Sequence, residues 1–325
     1  MNVQVLKPGL LSTLQDRGRL GHAAIGVGRA GAMDLPAWRL ANALVGNRGG
    51  EAALECTLLG PTLRFERAAW IAITGATIAA RVDSRELPNW AACWLPAGSV
   101  LSLGRMATGC RSYLAVRGGF DVEPVLGSRS SDLHAGLGAR ALRAGDTLPI
   151  GRAEHAPVNR PGPLAWRLDP QPWSDRVDAP LMLLPGSHGA QLDEASQERL
   201  LSGRFRVSRD SNRTACRLDG TTLHLRAPLE LVSEPALPGT VQLPPSGQPI
   251  VLLAEAPVTG GYPRIGQLAA VDLAHLAQRR PGDPVCFRHG TLAQAMARLQ
   301  HREQALDALC RQLARRLQND GFRPA

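Results

Sequence analysis

The sequence predicts a mainly β protein built as two tandem modules, with a few short helices and a long helix at the C-terminus. Three observations predict this. Glycine and proline are abundant, 34 and 25 of 325 residues, which suits many short strands and turns better than long helices. Stretches of the first half are echoed, in the same order, in the second half. A sustained apolar stripe at helical spacing occurs only near the C-terminus.

The echo is found by comparing the chain with itself. Leu54–Phe65 resembles Cys216–Leu225, and Pro96–Leu103 resembles Pro238–Leu243. Ser112–Gly119 resembles Val251–Glu255 with Gly260 and Gly261 behind it. Leu142–Leu148 resembles Arg280–Val285 through a shared Gly-Asp turn. Chance likeness of turn sequences is the competing reading. Taken as a repeat, the echoes divide the chain into a first module (residues 1–155), a linker (156–172) rich in Pro, Arg and Ala, a second module (173–290) and a C-terminal amphipathic helix (291–325). Short runs such as Trp70–Thr74, Ser112–Val116 and Ile250–Leu253 read as strands of barrels or sandwiches.

The helices are few. Asp34–Val45 carries an Asp N-cap and a proline in its first turn, and Gly46-Asn47 stops it. Asp193–Leu201 is a second short helix, ended by Gly203. Thr291 to about Leu317 is the longest. Leu292, Met296, Leu299, Leu306, Leu309, Leu313 and Leu317 form its apolar stripe.

Composition removes several chemistries. The net charge is +9, but the basic residues are nearly all Arg and are scattered, with no basic tract interleaved with aromatics. Nucleic-acid binding is therefore not expected. A solvated face or an acidic partner explains the nine Arg against four acids from Arg279 onward. Lys7 is the only lysine. A Gly-Lys-Ser/Thr phosphate loop, a Schiff-base lysine and a biotinylated lysine are accordingly not expected. The six cysteines show no metal-ligand spacing, and no metal is expected. No secretory signal or membrane span is read, so a cytoplasmic protein without membrane contact is expected.

The densest candidate site surrounds the apolar run Ile250–Ala254. Glu234, Gln242, Gln248, Glu255, Tyr262 and Arg264 lie around it in sequence. In Gly260-Gly-Tyr-Pro-Arg264, paired glycines allow close backbone approach and Pro263 fixes the chain. Tyr262 and Arg264 then offer a hydroxyl and a guanidinium fork suited to a carboxylate or oxyanion. A tight structural turn is the competing reading. Gln15, Asp16 and Arg17 sit in a polar turn that could bind a carboxylate or amide, or simply balance its own charge. Ser128, Ser130 and Asp132 sit in a loop after an apolar strand, where function is common. Asp34 is explained by capping alone. Among the histidines, only His188, in Pro185-Gly-Ser-His-Gly189, stands in a loop of suggestive type.

Several motifs together resemble one family. They are Thr13-Leu-Gln-Asp-Arg-Gly-Arg19, Gly31-Ala-Met-Asp34, Ala41–Asn47, Ser112–Gly119, Ser233-Glu-Pro235, Gly247-Gln-Pro-Ile250 and Thr259-Gly-Gly-Tyr-Pro263. On them the chain resembles the family of 5-oxoprolinase C components, the KipA-like biotin-dependent carboxyltransferases, also called allophanate hydrolase subunit 2-like. It is similar as well to the carboxyltransferase region of urea carboxylase. The resemblance implies two tandem cyclophilin-like β-barrel modules. It implies two partners, the A component of 5-oxoprolinase and its KipI-like B component. It also implies ATP used by the complex, at residues the sequence does not identify. The implied activity is ATP-dependent opening of the cyclic amide 5-oxoproline to glutamate.

The same resemblance implies two alternatives. One is a carboxyltransferase acting on urea or a related small amide, with carboxybiotin on a separate carrier. The other is a non-catalytic regulatory partner of the KipI-like B component. The implied catalytic residues are Arg264, Tyr262 and Glu234. Gln242, Gln248, Glu255, Gly260, Gly261, Asp34, Arg117, Asp132 and Gln15 are the implied substrate-binding residues. The chain departs from the family pattern at Arg264, where Lys is usual, and at Glu255, where Asp is frequent.

Overall fold

A computed structural model describes residues 2–152, 162–173 and 177–321. It divides by contact into two units. The first holds residues 1–18, 34–174 and 305–325, and the second holds residues 19–33 and 175–304. The expected class is the observed one: mainly β, with few helices and a long helix at the C-terminal end. By contact, the early segment 19–33 clusters with the second unit and the last helical turns with the first. Part of the stretch read as a linker, 156–161, lies outside the described residues. Beyond it, Gly162–Pro163 adds a short strand beside Ala92–Leu95.

The first unit has two six-stranded sheets. One runs Thr147–Pro149, Asn2–Lys7, Thr62–Phe65, Val100–Met106, Ile78–Val82, Arg85–Leu87. The other runs Gly162–Pro163, Ala92–Leu95, Ala69–Gly75, Arg111–Val116, Ala53–Thr57, Leu11–Gln15. Val3, Val5, Leu63, Phe65, Ile71, Ile73, Leu101, Leu114 and Val116 from both sheets share one core. Ile78–Val82 alternates, with Ile78 and Ala80 buried and Ala79 and Arg81 exposed, because only one face meets that core. Arg111–Val116 is buried throughout. Its second face is covered by α1 (Leu35–Leu44).

Helix α1 starts where the sequence says it should. Asp34 accepts the amide of Ala37 at 3.0 Å, and Pro36 sits in the first turn. It ends at Gly46, whose φ of 73° is left-handed. Asn47 then ties the exit to the sheet: its amide donates to Val116 O at 2.9 Å, and its carbonyl accepts from Gly118 N at 2.9 Å.

The second unit is one eight-stranded sheet. Its order is Pro284–Val285, Phe205–Val207, Ala215–Asp219, Ile250–Leu252, Thr240–Gln242, Arg264–Leu268, Leu181–Pro185, Phe287–His289. A separate two-stranded ribbon pairs Glu234 with Gly260 and Pro235 with Thr259. Leu183, Phe205, Leu218, Val241, Val251, Ile265 and Phe287 form the core. Helix α2 (Glu194–Ser202) is capped by Asp193, which accepts Ser196 N at 2.6 Å. A short helix α3 (Leu273–Ala277), not foreseen in the sequence, follows the Arg264–Leu268 strand.

The repeat is clearest at its turns. Gly145 and Gly282 have φ of 89° and 91°. Arg143 N donates to Asp146 Oδ2 at 2.8 Å, and Arg280 N to Asp283 Oδ2 at 2.7 Å. Gly145 and Gly282 donate to the carbonyls of Val5 and Val207, whose own amides return to Asp146 O and Asp283 O. Likewise Ala53–Thr57 pairs with Arg111–Val116 as Ala215–Asp219 pairs with Ile250–Leu252, antiparallel in both units. The echo of Pro96–Leu103 in Pro238–Leu243 goes no further than the turn. Gly98 and Gly239 both have positive φ, but Val100–Met106 does not neighbour Arg111–Val116, whereas Thr240–Gln242 neighbours Ile250–Leu252.

The last helix, α4 (Leu292–Asn319), opens with a reciprocal cap: Thr291 Oγ1 accepts Gln294 N at 3.2 Å, and Gln294 Oε1 accepts Thr291 N at 3.0 Å. Its stripe is only partly the one expected. Leu306, Leu313 and Leu317 are buried, but Leu292 and Met296 are 66% and 61% exposed. The first turns dock through Leu299 of that stripe and Ala295 outside it, against Met182, Ala269 and Val271. Arg298 adds a two-pronged contact with Asp272 at 2.9 and 2.8 Å. In the first unit, Leu317 joins Trp70, Trp94 and Leu164. Trp166 donates to Asp320 at 2.7 Å and carries the Arg316 guanidinium 4.7 Å above its ring.

Candidate functional site

In the second unit a polar group gathers where the Arg264–Leu268 strand leaves the two-stranded ribbon. Arg264 lies opposite Gln242 across an irregular register. One guanidinium nitrogen of Arg264 donates to Pro235 O at 2.9 Å, and the other bonds the Glu234 carboxylate. Both side chains are partly exposed, so their charges stay available to a ligand in water.

His188 completes the group. Its backbone amide donates to Arg264 O at 2.9 Å. In return Arg264 N donates to His188 Nδ1 at 3.1 Å. Such close approach needs Gly186: a Cβ there would stand 2.3 Å from Arg264 O. Because Nδ1 is an acceptor, the proton sits on Nε2. Burial, with the Arg264 charge as a lesser cause, pulls the His188 pKa below its ordinary value of 6.5. His188 is therefore a neutral donor at pH 7. The sequence offered one signal for it, the glycine-flanked loop, and the strand pairing that brings this loop to Arg264 was invisible there.

Gln242 is 5% exposed, and its Nε2 has no hydrogen-bond partner among the described residues. Gly260 lies directly on it, since a Cβ at Gly260 would meet Nε2 at 2.4 Å. The two glycines differ. At Gly261 a Cβ would find only ordinary contacts, at 3.7 Å. Tyr262 follows, 46% exposed, and Pro263 behind it is buried.

Two further residues of this unit stand outside the group. Gln248 makes a paired contact with the Gly220 backbone, Oε1 accepting from Gly220 N at 2.9 Å and Nε2 donating to Gly220 O at 3.1 Å. Glu255 is 4% exposed and bound to Arg213 Nε at 2.5 Å, while Arg213 Nη2 donates to Gly31 O at 2.7 Å. That buried pair anchors the segment 19–33 to the rest of the second unit.

The first unit holds the remaining expected residues in three places. Asp16 accepts from Gly18 N, Ser128 Oγ, Arg129 N and Ser130 Oγ at 2.6–2.8 Å. Its carboxylate thus holds the serine loop closed. Beside it, Gln15 Nε2 donates to Thr13 Oγ1 and Ser131 O, while Gln15 Oε1 is buried without a partner among the described residues. Asp132 accepts Ala135 N at 2.9 Å. In the second place, Asp34 caps α1, and its amide donates to Tyr113 Oη at 2.7 Å. Tyr113 in turn donates to Glu55 at 2.7 Å. Burial and the neighbouring carboxylates push the Tyr113 phenol far above its ordinary range, so it stays a neutral donor. In the third, Arg117 donates to Val45 O at 2.9 Å, and burial lowers its pKa.

Among the described residues no group of three or more His, Cys, Asp or Glu side chains could hold a metal ion. No described helix is long and apolar enough to cross a membrane.

The mainly β fold of the two units defines the class of protein to compare the chain with. The family model for the carboxyltransferase domain, subdomain A and B, matches residues 25–289, and the chain belongs to that family. It is 41% identical over 323 residues to the C component of 5-oxoprolinase from Escherichia coli strain K12, covering 98% of this chain and 99% of that one. It is 35% identical over 312 residues to the C component of 5-oxoprolinase from Haemophilus influenzae, covering 95% and 98%. The crystal structure of the K. lactis urea amidolyase superposes with a TM-score of 0.86 at 28% identity, over 94% of this chain and 20% of that much longer one.

Proposed function

We propose that this chain is the C component of an ATP-dependent 5-oxoprolinase, acting with the A and B components on a small cyclic amide. The carrying observation is the alignment with the Escherichia coli 5-oxoprolinase C component over nearly the whole of both chains. The polar group of the second unit suits the chemistry. Attack on a ring amide drives negative charge onto its carbonyl oxygen, and preorganised donors stabilise that charge. Arg264, the Nε2–H of neutral His188 and the Tyr262 hydroxyl supply such donors. Glu234 holds the Arg264 fork in place, and Gln242 offers an unused amide donor to a substrate oxygen. The carboxylate of 5-oxoproline is a natural partner for the guanidinium. ATP belongs to the complex in this reading. The single lysine, Lys7 in Lys-Pro-Gly, supplies no phosphate loop, and no residue of this chain is assigned to the nucleotide.

A second reading keeps the same group and changes the acceptor. The likeness to the K. lactis urea amidolyase favours carboxyl transfer to urea or a related amide from a carrier borne on another chain, since Lys7 is a poor biotin anchor. The experiment is glutamate release from 5-oxoproline and ATP by the chain purified with its A and B components, beside Arg264→Ala and His188→Ala. Release that requires this chain and falls in both variants supports the first reading. A stable complex with no release excludes it, and carboxylation of urea is then the assay.

A further inference from the structure

Gln242 is buried within the second unit beside acceptors that each already hold a donor. Pro235 O and the Glu234 carboxylate take the Arg264 fork, and Pro263 O takes Leu243 N. Gln242 Nε2 is left without a partner among the described residues. Burying that donor unpaired costs the folded chain stability. Packing alone would be served as well by Met, which has similar length and no donor to leave unpaired.

The sheet sets where this side chain points. Gln242 and Arg264 are partners across the ladder, so their side chains leave the same face. Gly260 closes over the carboxamide: a Cβ there would stand 2.4 Å from Nε2, 3.5 Å from Cδ and 3.7 Å from Oε1. Gly260 in turn pairs with Glu234 in the two-stranded ribbon. The carboxamide thus lies under the ribbon, and the Arg264 fork straps that ribbon to the sheet through Pro235 O and Glu234. So short a ribbon is a weakly held cover.

A planar carboxamide carries a donor and an acceptor side by side on one edge. Its complement is an amide whose N–H and C=O also lie side by side. A lactam has this edge because its ring forces the amide cis. Urea and primary amides have it because one N–H stands syn to the oxygen. An open-chain secondary amide is trans, with N–H and C=O on opposite sides. A lactone or an N-alkylated lactam keeps the carbonyl and lacks the N–H.

We propose that Gln242 is the specificity-determining residue of this site. When the ribbon yields, Nε2–H and Oε1 pair with the carbonyl and syn N–H of the substrate amide. They thereby select lactams, ureas and primary amides against lactones, N-substituted lactams and open-chain peptides. The inference rests on the reading that places the substrate at the Arg264 group, and not on which amide is turned over there.

The test follows the Gln242 side-chain amide by NMR in the full chain, its signals identified by their loss in Gln242→Met. The probes come in pairs: 5-oxoproline with 1-methyl-5-oxoproline, and urea at non-denaturing concentration with tetramethylurea. In the parent, 5-oxoproline or urea should shift the Gln242 signals saturably. It should bind at least about tenfold more tightly than its methylated counterpart, as losing a hydrogen bond to a buried group implies. Gln242→Met keeps the side-chain volume. It should bind both members of that pair alike, with a melting temperature no lower than the parent's. Equal binding within both pairs, or no binding of any probe, overturns the proposal. So does discrimination that persists in Gln242→Met, which would be a steric effect of the methyl group. The oxoprolinase reading fails separately: selection of urea without binding of 5-oxoproline sinks it and leaves the role of Gln242 standing.

Discussion

Replacing Gly260 by alanine puts a methyl carbon 2.4 Å from Nε2 of Gln242. Ordinary contact begins near 3.4 Å, so about 1 Å must be found. The clash is with the far end of a long side chain. Gln242 can yield by leaving its rotamer, at about 0.5–1.5 kcal/mol, and its Nε2 has no hydrogen bond to lose among the described residues. Against that, removing a glycine stabilises by about 0.4–1 kcal/mol through the unfolded chain. Gly260→Ala should therefore lie within about 1 kcal/mol of the parent in urea unfolding. Its effect on turnover should be larger, about tenfold or more, because one missed charge-stabilising contact is worth that much. Gly261→Ala meets its nearest atoms at 3.7 Å, and should leave both stability and turnover near the parent. Adding Gln242→Ala to Gly260→Ala removes the clash, so the double variant should exceed Gln242→Ala alone in stability by about 0.4–1 kcal/mol, the part that comes through the unfolded chain. The reasoning fails if the two glycine variants behave alike. It also fails if Gly260→Ala costs more than about 3 kcal/mol, which would mean that backbone had to move.

Three other outcomes follow from the same geometry. His188 should titrate in an NMR pH series below the ordinary 6.5, and Arg264→Ala should recover the smaller part of that shift, burial being the larger cause. The folded pKa is depressed, so the unfolded chain binds the proton more readily. The contribution of His188 to stability is then complete above the unfolded pKa and is lost as pH falls through the folded one, measurable as a parent-minus-His188→Asn difference in melting temperature across about pH 5–8. Arg213→Ala leaves Glu255 buried and uncompensated and frees Gly31 O. It should cost about 3–5 kcal/mol, and Arg213→Met/Glu255→Leu should recover most of it by chemical denaturation. Cys56 and Cys93, both pushed by burial up to about 12, should resist thiol reagents in the folded chain and react only on unfolding.

Local signals carried much of the fold. Asp34 with Pro36, Asp193 with Gly203, and Thr291 each mark a helix end by chemistry close in sequence, and all three helices begin where those signals stand. The Gly-Asp turns at 145 and 282 were legible for the same reason: their hydrogen bonds are largely internal. What was lost depends on distant partners. Leu292 and Met296 fit the helical period, yet α4 opens on a face set by Ala295 and Arg298, because Asp272 and Met182 decide what the helix meets. Gln248 and Glu255 sat near the apolar strand in sequence, but Gly220 and Arg213 take their side chains. Asp16 could be read in sequence either as a ligand group or as part of a turn balancing its own charge; in the structure it ties a serine loop more than a hundred residues away. His188 was the reverse case. Nothing local tied it to Arg264; the pairing of Leu181–Pro185 with Arg264–Leu268 does.

The most direct measurement is ATP-dependent glutamate release from 5-oxoproline by the complex of the A and B components with and without this chain, repeated with His188→Ala and Arg264→Ala. Release should require this chain and fall at least about a hundredfold in each variant, the scale expected when one preorganised donor to a developing oxyanion is removed. Full release without the chain, or release undiminished in both variants, would contradict a catalytic role for the Arg264 group.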